Sequence, residues 1–292
     1  MDEVAAAHEP APVAGWRVAL RPTLRNRLVL FGAILVLALV TLAVFARAIA
    51  PYDPTEMKVA DALRAPSWAH PFGTDRFGRD VLSRTIYGSR IAFGVAISSI
   101  GMALAVGTVL GLIGGYFGGW ADVAIGRVMD IWFSFPTLIL AIAIAAMLGP
   151  GLDNAVLAIA GVYAPLFSRV ARGSVIAERA KDHVVAALGL GAGAPRIILR
   201  HVLPNIAAPL IVQASVSLAY AILTEASLSY LGLGTQPPDP SWGTMLNEGR
   251  TYLETAPWMS IFPGLAIMLA VLAFNLCGDG LRSVLDPQLR GR

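Results

Sequence analysis

Residues 182–205 read Asp182-His183-Val184-Val185-Ala186-Ala187-Leu188-Gly189-Leu190-Gly191-Ala192-Gly193-Ala194-Pro195-Arg196-Ile197-Ile198-Leu199-Arg200-His201-Val202-Leu203-Pro204-Asn205. Asp182 suits the N-cap of a short helix, and Gly191 or Gly193 suits its stop. Pro195 then fits the first turn of a second short helix, which Pro204 ends. Two short helices joined at a bend form a knob, whose outer face offers the small residues Ala186 and Ala187 for close contact with a groove on another protein. A plain loop lying on lipid headgroups, favoured by Ile197, Ile198 and Leu199, is the other reading of the same spacing. The flanks place this stretch at a membrane, because apolar runs at 155–170 and 206–230 bracket it.

Four more apolar runs, at 28–50, 91–115, 128–148 and 258–277, bring the expected crossings to six, with the run at 155–170 the shortest. Composition agrees. Of 292 residues, 56% are hydrophobic and 14% charged, where soluble domains carry about 25% charged residues, and the mean hydropathy is +0.67. A chain of this size cannot bury that much apolar surface against itself, so lipid covers part of it. The first run is too long for a cleavable signal and is read as a retained anchor. Both termini are expected to be cytoplasmic: 14 of the 22 basic residues then fall inside, and the short outer loops carry only Arg250.

Several functions are excluded. Only Lys58 and Lys181 are lysines, and neither follows a glycine, so there is no phosphate-binding P-loop. The single Cys277 rules out an internal disulfide and a multi-cysteine metal site. Basic residues do not alternate with aromatics, which argues against nucleic acid. Asp75 and Asp80 lack the ligand alternation of a calcium loop. Gly278-Asp279-Gly280 has no second intramembrane aspartate to make a protease.

Within the spans, Gly107, Gly111 and Gly115 recur every fourth residue, which stacks them on one helix face for close packing. Pro136, Pro165, Pro209 and Pro263 are expected to kink their helices. Asp75 with Arg79 and Asp80 with Arg84 have the spacing of helical ion pairs, and so does Arg127 with Asp130. Glu225, followed by Ser229, lies near the outer end of the fifth run. Two readings of it stand: a carboxylate on a translocation path, meeting a peptide amino terminus or a cation, or the partner of an arginine in the first outer loop.

Ala186-Ala187, Gly191 and Leu203-Pro204 resemble the coupling loop E-A-A-x3-G-x9-I-x-L-P of ATP-binding cassette importer permeases. Val185 stands where that loop has Glu, and His201 where it has Ile. Phe72-Gly73-Thr74-Asp75-Arg76-Phe77-Gly78-Arg79-Asp80, Tyr87-Gly88-Ser89-Arg90, Gln236-Pro237-Pro238, Pro240-Ser241-Trp242-Gly243, Phe262-Pro263-Gly264, Asn275-Leu276-Cys277-Gly278-Asp279-Gly280 and Leu285-Asp286-Pro287 are similar to the C-type permeases of the dipeptide, oligopeptide and nickel importers. The resemblance spans about residues 25 to 290.

It implies an all-α membrane protein with the type I importer permease fold. Residues 1–27 would form a cytoplasmic tail, 28–90 the first helix and a long extracytoplasmic loop, 91–281 the permease core with its coupling loop at 172–205, and 282–292 a second cytoplasmic tail. The implied partners are a homologous B-type permease, two cytoplasmic ATP-binding subunits and an extracytoplasmic binding protein, in a bacterial inner membrane. ATP and magnesium would sit on the ATPase chains, with no cofactor on this one. The implied cargo is a di- or oligopeptide, with nickel or glutathione as the alternative. A secondary carrier or channel is the rival from another class.

Overall fold

The computed structural model describes residues 27–285; the rest of the two expected tails, with Asp286 and Pro287, lies outside the described residues, and 282–285, expected in the second tail, continue the last helix. Among the described residues the protein is helical, and the only extended pairing is one bridge between Thr74 and Asp80. The helices are α1 (Arg27–Val44), α2 (Ala46–Ile49), α3 (Val81–Phe117), α4 (Gly119–Phe133), α5 (Thr137–Leu148), α6 (Leu152–Arg179), α7 (Asp182–Gly189), α8 (Ala194–Ile197), α9 (Leu203–Tyr230), α10 (Trp242–Gly249) and α11 (Trp258–Leu285). α3, α6, the run 194–230 containing α8 and α9, and α11 are long and apolar enough to cross a membrane; the pair α4–α5 makes a fifth such unit, and α1 is a shorter apolar helix.

Every expected apolar run is helical, but those at 28–50 and 128–148 are each divided between two helices, and the ends of others differ. α3 has 37 residues, about 55 Å at 1.5 Å per residue against a hydrocarbon core of about 30 Å. It is therefore longer than one crossing needs. Asp80 starts it by accepting from Ser83 N at 2.7 Å and Ser83 Oγ at 2.8 Å. α6, expected as the shortest crossing, is a 28-residue helix. Arg169, Arg172, Glu178 and Arg179 carry it past the apolar region, where hydropathy falls while helix propensity does not.

The run at 128–148 is not one straight helix. α4 and α5 meet at a 94° bend. Pro136 has no N–H to continue the ladder and biases Phe135 away from helical backbone, while Ser134 Oγ donates back to Ile131 O at 2.6 Å. Pro165, Pro209 and Pro263 lie inside continuous helices. Asp130 meets Arg169 of α6 at 3.6 Å rather than Arg127, and Arg172 of α6 grips Asp122 of α4 with two nitrogens, Nη2 at 2.7 Å.

The core forms where α3 crosses α6. A Cβ on Gly107 would lie 2.4 Å from Ala164 O, on Gly111 2.5 Å from Ala171 Cβ, and on Gly115 2.9 Å from Arg172 O. All three glycines thus bring the two backbones together. α9 packs on α3, α6 and α11, and α1 lies along α11, where Gly32 meets Leu276 and Gly280 meets Val29.

Candidate functional site

Two assemblies of side chains stand out, one at each end of the bundle. The first is the knob between α6 and α9. Lys181, in extended backbone, precedes α7, so Asp182 is the first helical residue and not the cap. Gly191 follows the helix at φ +80°, the left-handed conformation that a helix stop requires. Pro195 lies in the first turn of α8.

Pro204 ends nothing. It sits in the first turn of α9, and the chain reaches it through one π-type turn, Ile198–Val202. A proline ring crowds the carbonyl four residues back, and a wider turn relieves that clash while the helix runs on. The second half of the knob is therefore rigidly continuous with a membrane helix.

Val184, Ile197 and Val202 are wholly buried and fix the knob to the bundle. Glu178, buried near the end of α6, holds Lys181 Nζ at 2.6 Å and His183 Nε2 at 3.2 Å. His183 also faces His201, with ring centroids 6.4 Å apart. The outward surface is apolar: Val185 is 54% exposed, Leu188 44%, Leu190 90% and Leu199 64%, beside exposed Ala186 and half-buried Ala187. Leu203 is half-buried and Pro204 exposed. Nothing among the described residues covers this face.

The second assembly caps the opposite end. Asp75 and Arg79 pair at 2.6 Å, though in a loop and not on a helix. Asp75 Oδ1 accepts from Phe77 N at 2.8 Å and Arg79 N at 3.0 Å, closing a tight turn. Arg79 Nη2 reaches Glu248 of α10 at 2.8 Å, and Arg84 lies 3.7 Å from both Asp75 and Glu248. Asp80, expected opposite Arg84, is bound instead by Ser83 and by His70 Nδ1 at 2.9 Å. Two arginines and two carboxylates thus balance inside the protein, where an unpaired charge would be costly. Trp242 Nε1 donates to Thr85 O at 2.9 Å, tying α3 to α10, and Trp258 Nε1 to Thr74 O at 3.0 Å, tying the loop to α11. Glu248 and His70 carry no local sequence signal, since their partners are distant in the chain.

Glu225 is fully buried at the end of α9. Ser229 Oγ donates to it at 2.7 Å and accepts from Thr235 N at 3.0 Å. No first-loop arginine pairs with it. Glu225 and Ser229 together strap the connection 231–241 onto α9, and neither reaches a surface of this chain. Among the described residues no group of three or more His, Cys, Asp or Glu could hold a metal.

Residues 107–291 match the family model described as the inner membrane component of binding-protein-dependent transport systems. Residues 15–66 match the N-terminal transmembrane domain of oligopeptide transport permease C. The dipeptide transport system permease protein DppC of Alkalihalophilus pseudofirmus is 45% identical, covering 95% of this chain and 91% of its own. The di/tripeptide permease DppC of Pseudomonas aeruginosa is 47% identical, covering 91% and 89%. The glutathione permease GsiD of Pectobacterium atrosepticum is 43% identical, covering 94% and 92%. Among solved structures, a chain of the MetNI methionine transporter in inward-facing form matches with TM-score 0.55 and 20% identity, over 70% of this chain and 97% of that one. That last likeness shows the fold.

Proposed function

The chain belongs to the inner membrane components of binding-protein-dependent transport systems, and from that premise we propose that it is the C-type permease subunit of an ATP-driven dipeptide importer. It is a multi-pass protein of the inner membrane. In this reading it forms half of a pore with a homologous B-type permease, receives peptide from an extracytoplasmic binding protein, and is driven by two cytoplasmic ATPase chains that carry the ATP and magnesium. Six crossings follow when α1 with α2, and α4 with α5, each count as one. Both termini then lie in the cytoplasm, the charged cap outside and the knob inside.

The observation that carries the coupling role is the knob's construction: an exposed apolar face on a base locked into two membrane helices. ATP-driven closure of the ATPase pair would push on Val185, Ala186, Leu188 and Leu190. α6 and α9 would carry that displacement into the bilayer as a rigid-body motion, switching the pore from inward-open to outward-open. The missing glutamate at Val185 removes one ion pair from the contact and leaves the apolar one. The glutathione permease relative supports glutathione as the second cargo.

Reconstituting the complete importer in proteoliposomes tests the reading. ATP-dependent accumulation of dialanine, lost when either the ATPase or the binding protein is omitted, is expected. Accumulation by this chain alone would instead make it a secondary carrier or channel, and accumulation of glutathione without dialanine would change the cargo.

A further inference from the structure

A cleft of about 460 Å³ opens beside the charged cap, between the outer part of α3, the first turn of α6 and the connection 231–241. Its volume lies in the range of small-ligand sites, about 300–1,000 Å³. Three charged side chains line it, each from a different element: Arg90 on α3, Asp153 on α6 and Asp239 on the connection. All three are exposed, and among the described residues no ion pair joins any of them to another group. Elsewhere at the cap Lys58, Arg64, Arg79 and Arg84 each have a carboxylate, while Arg76 lies over the Phe77 ring. Opposite charges that share one cleft without touching leave room for a ligand carrying both signs. Asp153 stands in the first turn of α6. Tyr87 and Ser98 add hydroxyls, while Val95 and Val156 give an apolar floor.

We propose that this cleft is a receiving subsite for a short zwitterionic peptide, with Arg90 holding the carboxylate end and Asp153 and Asp239 the ammonium end. Two extended residues span at most about 7 Å, a length that a cleft of about 460 Å³ can hold. The apolar floor accepts side chains without selecting among them. The subsite rests on the dipeptide-importer reading and deepens it: peptide leaving the binding protein is held at the mouth of the permease before the pore takes it. Gly94 lines the same cleft, and a Cβ there meets nothing within 4 Å, so a large side chain at 94 would fill the cleft without disturbing the helix packing.

The test uses the complete importer in proteoliposomes, with saturating binding protein preloaded with labelled dialanine. Arg90→Gln, the double change Asp153→Asn with Asp239→Asn, and Gly94→Phe are each expected to lower dialanine transported per ATP at least fivefold. The binding-protein concentration giving half-maximal ATP hydrolysis should stay unchanged. Transport per ATP equal to the parent protein in all three would overturn the subsite and leave the importer reading standing. Unchanged transport per ATP with a raised half-maximal concentration would also overturn it, making the cleft a seat for the binding protein. If the parent complex moves no dialanine, both readings fall together.

Discussion

The two ends of the bundle treat their side chains in opposite ways. At the cap, charged groups are buried and paired: Asp75, Arg79 and Arg84 are almost inaccessible, and the two arginines share Asp75 and Glu248. On the knob, apolar groups are exposed and unpaired, with Leu190 at 90% and Leu199 at 64%. A buried charge network stabilises one geometry, because removing any member leaves its partner stranded. An exposed apolar face invites burial against something else. The cap is therefore built to hold its own shape, while the knob leaves an apolar face open.

That contrast is sharpest when each region is damaged in turn. Asp75→Ala leaves Arg79 and Arg84 to share one carboxylate and should destabilise the cap by about 3–5 kcal/mol, read as a lowered unfolding temperature of the purified complex. A fall within experimental scatter would mean that water already reaches the network. The α3–α6 contact comes next. Gly111→Ala places a Cβ 2.5 Å from Ala171 Cβ and should cost about 1–3 kcal/mol by overpacking, whereas Gly101→Ala, which meets nothing within 4 Å, should be neutral within about 0.5 kcal/mol.

The knob should respond in binding and not in folding. Leu190→Asp is expected to weaken retention of the ATPase chains about tenfold, or about 1.4 kcal/mol, measured by titrating ATPase onto the immobilised permease pair, with the unfolding temperature unmoved. An unfolding shift as large as that of Asp75→Ala would erase the distinction between the two ends. The smallest effect belongs to Lys181→Ala. Its side chain is more than half exposed, and His183 remains on Glu178, so the loss should stay under about 1 kcal/mol.

How far the sequence foretold this arrangement depends on which physical signal each feature leaves. Runs such as 206–230 are long and apolar, and hydropathy alone marks them as helices. The same signal is blind past the lipid, so it missed residues 81–90 of α3 and 171–179 of α6, where polar turns continue the helix. Pro136 was readable as a disturbance, but a 94° bend depends on how α4 and α5 pack. Pro204 read locally as a stop, whereas the preceding π-type turn absorbs its clash and lets α9 continue. At the cap, i,i+4 spacing suggested a helix around Asp75 and Arg79; Gly78 at φ +74° turns the chain there instead. The partner completing that quartet, Glu248, lies 169 residues from Arg79, beyond the reach of any local pattern. Glu225 stood out because charge is scarce in a span, and the structure gives it Ser229, Thr235 and a place inside the protein.

The account turns on the knob being the surface that meets the ATPase, and proximity labelling in the assembled importer tests this most directly. With Cys277→Ser as background, a benzophenone maleimide attached at Val185→Cys or Leu190→Cys should, on irradiation, yield an adduct with the ATPase chain. The same probe at Ile97→Cys, 60% exposed on the lipid-crossing part of α3, should yield none. Adducts at Ile97→Cys, with none at either knob position, would contradict the account.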